Sequence, residues 1–376
     1  MLPSRFDCLI VGAGPAGSSA ALTLARAGRA VLLMDAAPFP RAKVCGGGLC
    51  PRSLEVLGLD LAPVLGPRVS RVRFTWCGAE PVEAELPPEA HLGMVYRGPF
   101  DALLAGAAQS AGADFRPGSA VEALRREGDL WTVDTAEGTT SAPALILADG
   151  AKGRLSRALG FRIRRRLIPA MEAEPRGPLP RTDTLHMDFG FAPGGYAWAF
   201  PKADGWNIGA GGFIRNQGLD LRTASRAMAQ AVGCEAELKL LGHPIALWDG
   251  VSRLHGPGVL VAGEAAGLVD PFTAEGIRPA ILSGLEAGAA VHRHLDGAPQ
   301  ALEAYSGAMG ELGVDLRWAR RLAAVFYRFP RACYRVGVCH PGAPERMARL
   351  FSGELRYRDV AFRALRRLAT GMLRRR

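Results

Sequence analysis

Four clusters along this 376-residue chain bring together residue types whose spacing suits chemistry. The first runs from Cys8 to Gly17, where the apolar Cys8 to Val11 breaks into Gly12, Ala13, Gly14, Pro15, Ala16 and Gly17. A helix-prone stretch from Ser18 to Ala27 follows and stops at Gly28. Gly12 permits a tight turn, Gly14 lets the backbone approach a pyrophosphate, and Gly17 allows close packing of helix on strand. The helix start then presents unpaired N–H groups and a favourable dipole to phosphate. A second apolar strand, Ala30 to Met34, ends in Asp35, where an acidic side chain binds a ribose hydroxyl and disfavours a 2′-phosphate. Strand, turn, helix, strand and acid in this order read as a dinucleotide cradle.

The second cluster is aromatic. Tyr196, Trp198 and Phe200 alternate with small residues between Pro193 and Pro201, so a strand would present all three rings on one face. Such a wall suits an apolar chain, with or without stabilising a transient cation through the ring faces. The third is Cys45, followed by Gly46, Gly47 and Gly48, which let a thiol come close to a cofactor to relay a proton or tune it; the alternative is a small buried hydrophobe. The fourth comprises the acidic turns at Asp149-Gly150, Gly263-Glu264 and Asp270 to Gly276. The histidines show no metal-ligand spacing, since even His292 and His294 would point apart on a helix, and no metal is expected.

These residues require a scaffold. Cys8 to Val11, Ala144 to Ala148 and Val259 to Ala262 read as buried parallel strands whose C-terminal ends line one crevice. Alternation at Val72, Phe74, Trp76 and at Leu185, Met187, Phe189, Phe191 predicts half-buried antiparallel strands of a second sheet. From about residue 280 the pattern is helical. It ends in a basic stretch with Arg356, Arg358, Arg363, Arg366, Arg367, Arg374, Arg375 and Arg376 beside Ala361, Leu365, Leu368 and Met372. This reads as an amphipathic helix that either lies on anionic lipid or packs on its own domain. The expected class is α/β, with a Rossmann-like dinucleotide domain (1–65, 95–160, 251–300) interleaved with an antiparallel-sheet substrate domain (66–94, 161–250) and a C-terminal helical region (301–376).

Hydrophobic residues make up 48% and charged residues 22% of the chain, a globular composition. The net charge of +10 favours anionic partners, but no nucleic-acid module accompanies it. The seven cysteines offer no paired framework, and Met1 to Phe6 lacks a secretory apolar stretch, so a reducing, cytoplasmic setting is expected, with any membrane contact peripheral.

From Pro38-Phe39-Pro40 and Arg41 to Leu49 onward, the sequence resembles the geranylgeranyl reductase family of flavoproteins. The resemblance continues in Tyr96 to Asp101, Ala148 to Ala151, Pro193 to Pro201 and Gly263 to Phe272. It implies a glutathione-reductase/para-hydroxybenzoate-hydroxylase type of fold, FAD as the bound dinucleotide, and saturation of double bonds in a polyprenyl chain on a lipid, quinone or pigment. On that resemblance Gly12, Gly14, Pro15, Ala16, Gly17 and Asp35 hold the ADP half, with Arg41 and Arg97 near the linker and Asp149 and Gly150 over the pyrophosphate. Cys45, Gly46 and Gly47 approach the flavin, Gly263 and Glu264 take the ribityl contact, and Pro271, Gly276 and Ile277 underlie the ring. Glu264 stands where the family usually places Asp, which keeps the charge but changes the reach. Cys45, Tyr196 and Trp198 are the catalytic candidates; Pro193, Tyr196, Trp198, Phe200 and Pro201 are the substrate contacts. NADPH, NADH or a ferredoxin-type partner remains open as electron donor, and a flavin monooxygenase or halogenase is the alternative activity. A non-catalytic lipid binder is the reading from another class.

Overall fold

The computed structural model describes residues 6–43, 45–178, 180–214, 218–340, 342–351 and 354–362. One sheet holds six strands in the order His255–Gly256, Val259–Val261, Ala144–Leu147, Cys8–Val11, Val31–Asp35 and Asp114–Pro117. All pairs are parallel except the hairpin between the first two. Alternate side chains serve two cores. Cys8, Ile10, Leu33, Ile146 and Leu260 pack under helices, while Leu9, Val11, Leu32 and Leu145 pack against Trp131 and Val133 of the three-stranded sheet formed by Ala123–Glu127, Leu130–Thr135 and Gly138–Ala142. Burial on both faces explains why these strands read as uninterrupted apolar runs.

The second large sheet has seven strands, in the order Leu241–Trp248, Arg165–Ala173, Gly205–Gly212, Gly195–Lys202, Thr184–Asp188, Arg71–Trp76 and Ala79–Glu85. One expectation needs correction. Arg71–Trp76 joins Thr184–Asp188 in parallel, because the two segments enter the sheet by a crossover and not by a hairpin. The latter strand also stops at Asp188, before Phe189 and Phe191. The buried Asp188 carboxylate accepts from the N–H groups of Gly78, Gly190 and Phe191, each at 2.8 Å, and from the Thr75 hydroxyl at 2.7 Å, and so curls the chain away from the ladder. Between the large sheets lies a small one of Gly48–Leu49, Leu92–Val95 and Leu65–Val69.

The helix Ile277–Leu295 lies on Pro15–Arg26, and Gly284 makes this possible. A Cβ there would sit 2.1 Å from the Ala16 carbonyl oxygen. The helix Ala301–Arg328 ties the six-stranded sheet to the turn after Asp270: Tyr305 donates its hydroxyl to the Val261 carbonyl at 2.9 Å, and Tyr327 donates to the Phe272 carbonyl at 2.6 Å. Among the described residues no helix is long and apolar enough to cross a membrane. Of the basic C-terminal stretch, Arg356, Arg358 and Ala361 are described; Arg363 to Arg376 lie outside the described residues.

Candidate active site

A cavity of about 1540 Å³ runs between the C-terminal ends of the parallel strands and one face of the seven-stranded sheet. At its first end Gly12 has φ +100, and a Cβ there would sit 2.3 Å from the Ala148 carbonyl oxygen. The following helix begins at Pro15 with Gly14 as N-cap and no side-chain cap, so its first-turn N–H groups are left for a ligand. Asp35 accepts from the Ala13 N–H at 2.8 Å and the Ala37 N–H at 2.9 Å, fixing the acid beside the glycine turn. Two polar atoms on this wall are buried without a hydrogen-bond partner, Arg41 Nε, which lies 3.7 Å from Asp35 Oδ2, and Asp149 Oδ1. Burial pushes the Asp149 carboxyl up from its usual range, although Oδ2 accepts from the Leu155 N–H at 3.0 Å. Uncapped amides, an orphaned guanidinium donor and an orphaned carboxylate acceptor fit the phosphates and hydroxyls of a dinucleotide.

Behind this end Arg97 grips the buried Asp101 with two bonds of 2.7 and 2.8 Å, and Arg41 Nη2 donates to the same carboxylate at 2.7 Å. Burial works against the Arg97 charge, but Asp101 outweighs it and holds the guanidinium above its ordinary value, with Cys45 adding to the effect. The Cys45 to Gly47 loop is clamped from below by Lys202. Its buried ammonium donates to the carbonyls of Cys45 at 3.2 Å, Gly46 at 2.8 Å and Val95 at 2.6 Å, and burial pushes its pKa down to about 8. Gly46 faces Phe200, whose ring atoms would lie 2.8 Å from an added Cβ.

The turn from Asp270 to Gly276 forms the floor. Asp270 Oδ1 accepts from the N–H groups of Phe272 and Thr273 at 2.7 and 3.1 Å, and Tyr357 donates its hydroxyl to Oδ2 at 2.7 Å. Tyr196 donates to the Thr273 carbonyl at 2.6 Å. Gly276 is the N-cap of the helix that begins at Ile277. Glu275 accepts from the Arg278 N–H at 2.8 Å, and burial pushes its carboxyl up to about 7. Glu264 uses its added methylene to reach across to the second sheet. Its carboxylate accepts from the Ala246 N–H at 3.1 Å, with Lys43 Nζ at 3.9 Å.

Tyr196, Trp198 and Phe200 line one side, with ring centroids 5.7 and 6.3 Å apart, while Ala197 and Ala199 enter a separate core behind them. Pro201 shares that rear face by alternation, and Pro193 lies in a second groove with Trp76 and Phe329. Of the residues expected at the cofactor, Gly17, Gly263 and Pro271 are absent from the cavity wall. Gly17 packs on Gly12, where a Cβ would lie 1.8 Å from the carbonyl oxygen, and Gly263 faces Ala16. Cys45, Gly46, Gly47, Arg97, Gly150, Glu264, Gly276 and Ile277 all reach it. No disulfide joins any of the seven cysteines, Cys333 and Cys339 included.

Two residues escaped the sequence reading, Glu172 on the wall and Lys202 beneath the Cys45 to Gly47 loop. Both carry the signal of alternation. Lys202 continues the face of Tyr196, Trp198 and Phe200, and Glu172 continues the face that Ile168 and Ala170 present to the cavity. Glu172 is buried, and that burial pushes its carboxyl up to about 7.

A Rossmann-like sheet with an uncapped glycine turn, an acid at the second strand and an aromatic-walled chamber defines a flavoprotein oxidoreductase that binds FAD. Residues 5–172 match the FAD binding domain family. The chain is 34% identical over 305 residues to a menaquinone reductase of Mycolicibacterium smegmatis, covering 73% of each chain. It is 32% identical over 318 residues to digeranylgeranylglycerophospholipid reductase 1 of Methanopyrus kandleri, covering 76% of this chain and 80% of that one. The fold is shared with a geranylgeranyl bacteriochlorophyll reductase-like protein of Thermoplasma acidophilum (TM-score 0.78, 24% identity, 86% and 87% of the two chains). It is shared too with a flavin-dependent brominase (TM-score 0.72, 19% identity, 96% and 99%). The chain belongs to the geranylgeranyl reductase family of FAD-dependent oxidoreductases.

One position in the floor works against itself. Ala274 has φ +59, a left-handed conformation that costs a residue bearing Cβ about 1 kcal/mol or more. Ala274→Gly is therefore expected to raise the unfolding free energy by about 1 kcal/mol in a denaturant titration; a loss of stability would show that this turn is not strained.

Proposed function

We propose that this protein saturates carbon–carbon double bonds in a polyprenyl chain, with Tyr196, Trp198 and Phe200 as the wall against which that chain lies. The observation that carries the reading is the placement of three aligned rings opposite the Cys45 to Gly47 loop, in the same cavity as the dinucleotide cradle. Two relatives are named for reduction of prenylated molecules or quinones, in agreement with this substrate class. FAD, once reduced, supplies the hydride. The residues of this chain do the rest: the wall excludes water from an apolar substrate, and the ring faces stabilise positive charge that develops on a trisubstituted carbon. The Tyr196 hydroxyl is spent on the Thr273 carbonyl, so its part is to hold the ring against the floor. The electron donor is NADPH, NADH or a ferredoxin-type protein.

Docking to the lipid that carries such substrates is assigned to a face near the end of the long helix. Val325, Phe329 and Val336 are 56%, 61% and 72% exposed, and Arg321, Arg328 and Arg335 are exposed around them. Apolar side chains within a basic rim suit an anionic bilayer surface. The basic stretch through Arg376 would add to that attraction.

Dithionite-reduced enzyme mixed with geranylgeranyl lipids, quinones and pigments is expected to yield products heavier by pairs of hydrogens in mass spectrometry; recovery of every prenyl substrate unchanged would refute the reading. Replacing Val325, Phe329 and Val336 together by Ser should lower co-sedimentation with anionic liposomes several-fold at low salt while FAD stays bound. Undiminished sedimentation would remove this face as the docking surface.

A further inference from the structure

We propose that Glu172 is the acid that protonates the substrate: its carboxyl delivers the proton to one alkene carbon while the other receives the hydride. The proposal rests on the prenyl-reductase reading and adds to it the source of the proton.

Geometry selects this residue. Glu172 sits on the strand Arg165–Ala173, on the face that Ile168 and Ala170 turn into the cavity. Across the sheet its neighbour is Gly209, which is also the pairing partner of Trp198. A Cβ added at Gly209 would fall 2.5 Å from the Trp198 ring and 2.7 Å from Glu172 Cβ, so the glycine is what lets the indole lie down beside the Glu172 side chain. Asn207 joins the two. Its Oδ1 accepts from Trp198 Nε1 at 2.7 Å, which orients the amide, and its side chain bonds Glu172. The acid is therefore held next to the ring face where positive charge would develop.

Besides Arg41, two other cavity groups have a polar atom without a hydrogen-bond partner. Asp149 Oδ1 lies at the dinucleotide end, and His243 Nε2 lies on the strand Leu241–Trp248, where burial lowers the imidazole pKa and disfavours its acid form. The acids and hydroxyls nearer the aromatic wall are committed elsewhere. Asp270 accepts three hydrogen bonds and Tyr357 is one of the donors, so it acts as an acceptor that locks the floor. Tyr196 gives its proton to the Thr273 carbonyl, Glu264 accepts from Ala246, Glu275 accepts from Arg278, and the Cys45 sulfur interacts with the Arg97 guanidinium. Glu172 faces Lys202, Glu174, Arg97 and the Asn207 amide, and burial outweighs the two cations. The acid is thus half protonated near neutral pH, where an acid that must give and regain a proton works best.

The balance closes with named parts. The alkene π pair takes the proton from the Glu172 O–H, the electron pair of that bond stays as carboxylate, and the adjacent carbon takes a hydride from the reduced cofactor, which is oxidised by two electrons. Two C–H bonds form and the double bond becomes single. Glu174, half-buried and sharing Asn207, leads towards solvent for the returning proton.

The test uses holoenzyme and Glu172→Gln, which keeps the bond to Asn207 and the side-chain shape. In the oxidised, substrate-free holoenzyme, infrared spectroscopy should show protonated-carboxyl intensity that titrates with a midpoint near 7, Glu275 contributing as well as Glu172, and the wild-type-minus-Glu172→Gln difference spectrum should hold one such carboxyl. In stopped flow, flavin reoxidation by a geranylgeranyl substrate under anaerobic conditions should be about 10²- to 10³-fold slower in the variant. The wild-type rate should fall as pH rises through about 7, the variant should lose this dependence, and Glu172→Asp should recover part of the rate. A difference spectrum with no such carboxyl, or a variant that reoxidises at the wild-type rate with the wild-type pH profile, overturns the role of Glu172 and leaves prenyl reduction standing. A wild-type enzyme that no prenyl substrate reoxidises overturns both, and the unchanged variant is then not needed to decide.

Discussion

A buried turn whose polar groups must all be satisfied governs the architecture of this site. Asp270 to Gly276 passes between an apolar core and the cavity, where every unpaired carbonyl would cost free energy. Three tyrosine hydroxyls meet the need: Tyr196 at the Thr273 carbonyl, Tyr327 at the Phe272 carbonyl and Tyr357 at the Asp270 carboxylate. They come from the second sheet, from the long helix and from the segment beyond it. The rings then stack, with Phe213 4.3 Å from Tyr327 and 5.2 Å from Tyr196 by centroid. Fixing the turn therefore fixes the substrate wall, and the C-terminal helices become part of the active site, where Leu312, Leu316 and Tyr357 line the cavity.

The remaining charges are arranged by the same economy. Asp101 is fully buried and is tolerated because Arg97 and Arg41 both bond it. Breaking such a pair leaves an uncompensated buried charge, which is far costlier than the pair is worth. The pair in turn holds Arg41 at the cradle, where its Nε is left for a ligand. At the other end Lys202 places its ammonium under the carbonyls of Cys45, Gly46 and Val95 and so ties the Cys45 to Gly47 segment that faces Phe200 to the end of the strand Leu92–Val95. A phosphate-binding end with donors to spare and a carboxyl-bearing apolar end are thus built on opposite sides of one loop.

Much of this was legible in the residues because local steric needs leave local signatures. Gly12 and Gly17 touch backbone atoms within a few residues or one strand away, so their spacing alone announces the turn. The alternation of Tyr196, Trp198 and Phe200 likewise fixes a shared face. What stayed hidden depends on partners distant in the chain. Nothing near Asp188 says that it will collect N–H groups from residues 78 and 190 and end its strand, and nothing near Thr184 says that its partner strand will run parallel. Glu172 becomes an acid of interest only once Gly209 brings Trp198 beside it. Pro193 and Pro201 flank the aromatic motif in sequence, yet one falls in another groove and the other on the rear face, since period-two alternation separates neighbours.

The account stands on the cavity being the seat of a flavin held without a covalent bond. Spectrophotometry of the folded, freshly purified protein measures this most directly. The expected result is flavin absorbance equivalent to one FAD per chain, released intact on denaturation and regained when FAD is added to refolded protein. Folded protein that is colourless and takes up no FAD would contradict it.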